Sequence, residues 1–106
     1  MRTIELDARN WRTVLDFYDA LLAEIGAPAW HGRSIDALID SMVWGGVNSL
    51  APPYRVLVLG VESISREIRS EVELASRALN EAGLERQRRQ GQEADVTFEI
   101  SYPTRN

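Results

Sequence analysis

The sequence predicts an α/β domain built on a small three-stranded parallel sheet, and three observations predict it. Strand-like segments lie at 2–6, 54–61 and 94–101, the outer two alternating and the central one almost continuously apolar. Segments with helical periodicity stand between consecutive strands, which gives the order β-α-α-β-α-β, with the last helical stretch read as one helix or two. Strands joined through helices pair in parallel by right-handed crossovers, so three to four helices packed on one sheet is the simplest assembly.

Each element has a local justification. "RTIEL" (2–6) alternates as a short strand does. A helix follows from about Thr13 to Ile25, capped by Thr13, with Asp16 in its favourable first turn. Val14, Tyr18, Leu21, Leu22 and Ile25 form its apolar stripe, and Gly26 and Pro28 end it. The second helix starts after Gly32 with Ser34 as N-cap. Ile35, Leu38, Ile39 and Met42 are its buried side, Asp36 and Asp40 lie opposite, and Trp44 stands one turn beyond Asp40. "GGVNSLAPPY" (45–54) reads as a loop. "YRVLVLGV" (54–61) has the pattern of a strand covered on both faces. The stretch 63–82 carries Ile64, Ile68, Val72, Ala75 and Leu79 in phase. The capping box "SEVE" (70–73) leaves open a second helix that starts near Ser70, and Gly83 is a candidate stop. "LERQRRQGQE" (84–93) reads as an exposed connection or a helix extension, and "ADVTFEIS" (94–101) as the last strand. Residues 1–102 are expected to form one domain, with 103–106 as a tail.

Composition narrows the chemistry. The 106 residues include no cysteine, which excludes disulfides and thiolate metal sites. The net charge is −4, and all twelve cations are arginine. Between residues 11 and 50, five acids (Asp16, Asp19, Glu24, Asp36, Asp40) face only Arg12 and Arg33. An acidic region of this kind disfavours direct nucleic-acid binding and suits either a basic partner or solubility alone. The expectation is a cytoplasmic protein, because no apolar run has the length of a signal peptide or a membrane span.

Few residues offer catalysis. The single histidine, His31, stands near Asp36 and Asp40 in the sequence and could form an acid–base centre with either. No G-x-S-x-G elbow, phosphate-binding loop or metal-spaced histidine cluster is present. No cofactor and no metal are expected. Arg86, Arg88 and Arg89 could meet nucleic acid, but flanking Glu85 and Glu93 fit a solvated segment better. Trp11 is expected to pack, while Trp30 and Trp44 read either as packing on the second helix or as interface anchors. Asp36 and Asp40, one helical turn apart, repel each other, which a cationic partner would relieve.

The ordered set Pro28, Trp30, His31, Gly32, Asp36, Ala37, Leu38 and Asp40 in "PAWHGRSIDALID" resembles the barstar family of ribonuclease inhibitors. The likeness extends from "IELDARNW" to "ADVTFEIS", and "LNEAG" adds Glu81 as a further carboxylate. It implies a barstar-like fold and a protein that is not an enzyme. The implied function is to block a nuclease active site with an acidic loop and helix, as immunity or antitoxin. The implied partner is a basic ribonuclease or nuclease toxin, bound 1:1 by a monomer without membrane. By the same resemblance Asp40 is the central acid. Asp36 supports it, Glu81 reaches from the later helix, and Trp30, Gly32 and Ser34 shape the contact loop. His31 and Trp44 complete the expected surface. The chain departs from the family at Ile39 (an aromatic there), Ser34 (an amide), His31 (a tyrosine) and Arg33 (an acid). Two alternatives stay open: a module of the same fold with a non-nuclease partner, and a small enzyme using His31 with Asp36 or Asp40.

Overall fold

The computed structural model describes residues 2–45, 47–50, 53–91 and 96–102. The chain runs β1 (Arg2–Asp7), α1 (Val14–Glu24), α2 (Ile35–Leu38), a π-helical turn (Ile39–Val43), β2 (Tyr54–Leu59), a short 3₁₀ turn (Val61–Ser63), α3 (Arg66–Gln90) and β3 (Val96–Ile100). The three strands pair in parallel in the order β1-β2-β3. This is the small α/β architecture that the strand and helix patterns require. Residues 94 and 95 of the expected last strand and 103–106 of the tail lie outside the described residues.

The sheet departs from expectation in its cover: β2 is covered on one face. Tyr54, Val56 and Val58 are fully buried beside Ile4 and Leu6 of β1 and Val96 and Phe98 of β3. Arg55, Leu57 and Leu59 on its second face are only half-buried. In the register, Leu57 lies between Glu5 and Glu99, and Arg55 between Thr3 and Thr97. Flanking strands shade the central leucines, so a near-continuous apolar run arises without a second helical layer. The strand also stops at Leu59, because Gly60 takes a left-handed conformation (φ 78°) that an added Cβ could not share with Arg9 Cγ, 2.7 Å away.

α1 is fixed at both ends. The Asp16 carboxylate accepts the backbone N–H groups of Arg12 (2.7 Å) and Thr13 (3.1 Å), which hold it below the usual carboxylate range. At the C-terminus, Ala27 N–H bonds Leu22 O (3.0 Å) and Gly26 N–H bonds Ala23 O (3.3 Å) around Gly26 at φ 65°. The chain after the π-helical turn returns to this end, where Ser49 N–H meets Gly26 O and Leu50 N–H meets Ile25 O, both at 3.0 Å. Phe17, Tyr18, Leu21 and Ile25 are buried. Trp11 packs as expected, its ring 5.5 Å from that of Phe17.

α3 is one helix, which decides the open choice between one and two, and it runs on through Gly83, the candidate stop. Ser65, not Ser70, caps it, accepting Ile68 N–H at 3.3 Å. Glu73 accepts the Tyr102 hydroxyl at 2.6 Å and is not folded back into a box. Gly83 continues the buried stripe of Ile68, Val72, Ala75 and Leu79, so the helix carries its smallest residue at a packed position. Beyond it, Glu85 bonds Arg88 and Arg89 at 2.8 and 2.9 Å, pairs that support the added turns. The helix ends at Gly91, whose φ of 66° lets its N–H close on Gln87 O at 2.8 Å. Thus most of 84–93 is helix extension, not connection. Among the described residues, no helix is long and apolar enough to cross a membrane.

Candidate protein-binding surface

The site is assembled by the Pro28–Ser34 loop and the helix that follows it. His31 N–H bonds Pro28 O at 3.0 Å, which closes a turn over 28–31. That turn sends neighbouring rings in opposite directions: Trp30 is 76% exposed, and His31 only 9%. Trp30 therefore does not staple the helix start. Ser34 does the capping, its hydroxyl accepting Ala37 N–H at 3.1 Å.

Leu38 and Met42 anchor this helix in the core, with Ile35 and Ile39 packed at its edge. The opposite side is left to Asp36 and Asp40, both exposed. After one α turn the helix widens. Trp44 N–H reaches Ile39 O (3.3 Å) and Gly45 N–H reaches Asp40 O (3.0 Å), bonds spanning five residues. The widening leaves Trp44 at the helix end, 44% exposed. α3 braces this end, with Arg86 Nη1 donating to Val43 O at 2.9 Å.

A hollow of about 170 Å³ lies between loop and helix. Trp30, His31, Gly32 and Val47 form its loop side, and Ala37, Asp40 and Ser41 its helix side. The structure thus brings Trp30, His31, Gly32 and Asp40 together. Asp36 stands one turn before Asp40, and Ser34 one turn before Leu38 at the cap. Glu81 is exposed on α3 and is not part of the hollow's wall.

The electrostatics keep the acids available. Among the described residues, Asp36, Asp40 and Glu81 take part in no ion pair. Arg33, the cation in the middle of the loop, is drawn to α1, where its Nε bonds Asp19 Oδ1 at 2.6 Å. Among the described residues His31 has no carboxylate partner. Its Nδ1 lies 2.7 Å from Gly32 O and its Nε2 lies 2.6 Å from Ser41 Oγ. No group of the described residues could hold a metal ion.

Ser41 and Val47 were not singled out by the sequence. Ser41 had a readable signal: it follows Leu38 by three residues, on the buried side, where a hydroxyl needs an internal partner. Val47 had none, because its place depends on the loop returning to the end of α1.

The hollow thus sets an exposed indole, Trp30, beside an exposed carboxylate, Asp40, with the exposed Trp44 at the end of the same helix. A search of curated proteins returns no match. The model of the family described as Barstar (barnase inhibitor) matches residues 1–101, essentially the whole chain, and the protein belongs to the barstar family.

Proposed function

We propose that this protein inhibits a ribonuclease by seating the Trp30–Trp44 surface in the enzyme's active-site cleft, as a monomer binding 1:1. The family is one of inhibitors rather than enzymes. One observation carries the reading furthest: Asp40 is exposed, free of ion pairs among the described residues, and placed at the hollow beside a 76% exposed Trp30. A ribonuclease cleft holds cations where RNA phosphates bind. Carboxylates at fixed spacing can take the place of those phosphates, and the indole adds apolar area with little entropy to lose. Asp36 reinforces the field, and Glu81 contributes a further negative charge from α3. His31 and Ser34 serve by shaping the loop. The role this implies is intracellular immunity against a nuclease toxin, carried by a single domain over 1–102.

The enzyme alternative would now rest on the contact between His31 and Ser41, which resembles a base beside its nucleophile. It fits poorly. Ser41 is 7% exposed, and an oxyanion formed there would face the Asp40 carboxylate across the same hollow.

The test is inhibition of RNA cleavage by barnase and by basic nucleases captured from the native host. Stoichiometric inhibition, lost in Asp40→Ala, supports the reading. Capture of a non-nuclease partner through the same surface, without inhibition of any ribonuclease, would replace it with the interaction-module alternative.

A further inference from the structure

His31 is the only histidine, it is buried in the wall of the hollow, and the inhibitory reading assigns it no more than a part in shaping the loop. Its hydrogen bonds reveal a different task. Gly32 O can only accept, so Nδ1 carries the proton. In the neutral ring Nε2 then has a lone pair, and the Ser41 hydroxyl, 2.6 Å away, donates to it. The loop that carries Trp30 is thereby tied through one imidazole to the helical turn that carries Asp40. The ring is also the shared wall of two hollows, one beside Asp40 and a second of about 260 Å³ beside Asp19 and Arg33.

We propose that His31 is a positioning residue: the bridge from Gly32 O through its imidazole to Ser41 Oγ fixes the separation of Trp30 from Asp40, and so the shape of the partner-binding hollow. The proposal rests on the inhibitory reading for its consequence, not for its geometry. Without the bridge, the described residues join loop and helix through the backbone of 32–34 and the Ser34 cap on Ala37 N–H, both of which lie on the helix side of the 28–31 turn. The 28–31 turn can then tilt, and the indole moves relative to the carboxylate. A rigid spacing matters because the partner's cations are themselves fixed, so each displacement of a charge is lost from affinity.

Because the chain has one histidine, nitrogen-15 spectra of the imidazole report this site alone. The expected result is a protonated Nδ1, an unprotonated Nε2, and a ring N–H slow to exchange. In Ser41→Ala the Nε2 signal and the amide signals of Trp30 and Asp40 shift together. Binding to barnase weakens about tenfold, the value of one buried hydrogen bond. Ser41→Thr, which keeps the hydroxyl, restores both. His31→Gln, whose amide reaches where Nε2 stood, retains more affinity than His31→Ala. A ring protonated at Nε2 instead, or Ser41→Ala signals at Trp30 and Asp40 identical to wild type, overturns the proposal. A chain that inhibits no ribonuclease refutes the function alone, since the nitrogen and amide signals still decide the bridge. If His31 variants do not fold, Ser41→Ala, which removes one oxygen, carries the decision.

Discussion

Replacing Asp40 with alanine should be the most damaging single change to partner binding, and the structure sets its scale. Asp40 lines the hollow, so docking removes it from water together with whichever cation meets it. At a separation of about 4 Å and an effective dielectric near 20, the attraction is about 4 kcal/mol. Deleting one member of a desolvated pair leaves the other uncompensated, a loss of about 3–5 kcal/mol. At 1.4 kcal/mol per tenfold, affinity falls by about a hundredfold to a few thousandfold. Asp36 stands a turn earlier, outside the hollow's wall, where solvent screens it. Asp36→Ala should cost only about 0.5–1 kcal/mol, a few-fold effect. Asp16→Ala removes the acceptor for two N–H groups of α1 and should lower stability while leaving affinity unchanged. Titration calorimetry against the inhibited ribonuclease reads all three. Equal, small losses for Asp40 and Asp36 would refute the assignment of Asp40 as the buried centre of the contact.

Three further outcomes follow from other parts of the molecule. Association should slow as salt rises, because unpaired acids and a basic partner attract over a Debye length of about 8–10 Å; a stopped-flow rate independent of salt would exclude steering. Asn80 holds the outer edge of β3, donating to Phe98 O and accepting from Phe98 N–H, both at 2.9 Å. Asn80→Ala should cost about 2 kcal/mol in urea unfolding and make the chain self-associate through the bared edge; a monomer of unchanged midpoint would refute this. Burial pushes the Tyr54 phenol up to about 12, and burial beside Glu71 raises Tyr18 as well. The stability these protonated phenols contribute is full below their unfolded pKa near 10 and is lost as pH rises through the folded value. Absorbance at 295 nm should therefore lag until unfolding, and complete ionisation at pH 10 with intact circular dichroism would contradict the burial.

Features decided within a few residues were legible in the sequence. Ser34 caps the site helix, Leu38 and Met42 face the core, and Asp36 and Asp40 face solvent, all from spacing alone. Features decided by tertiary contact were not. Gly83 looks like a terminator until its place on the buried stripe of α3 is seen, where a small residue permits packing and flanking helix formers carry the chain onward. The apolar run of β2 suggested two covered faces, yet Leu57, flanked by β1 and β3, and Leu59, beside β1, are half-buried with no second helical layer among the described residues. The π-helical turn has no local signature; its bonds from Trp44 to Ile39 and from Gly45 to Asp40 arise where the helix must reach the loop at Val47. The direction of His31 was equally hidden, because the Pro28 turn, not the identity of the ring, selects which neighbour points inward.

The separation of core and surface on one short helix explains how the acids can be held ready. Burial of Leu38 and Met42 stabilises by about 1.5–3 kcal/mol each, and both are fully buried. Repulsion between Asp36 and Asp40 costs only a few tenths of a kcal/mol in water. Packing therefore outweighs repulsion by about tenfold, and the carboxylates keep their spacing with no cation among the described residues paired to them. An internal arginine on Asp40 would gain little stability at this exposed position, and docking would have to break it before any partner cation could bind. Arg33, turned instead onto Asp19 of α1, keeps that competitor away from the hollow. The unpaired state of Asp40 is thus tolerable to the fold and useful to the surface for the same reason: its charge stays solvated until a partner supplies the cation.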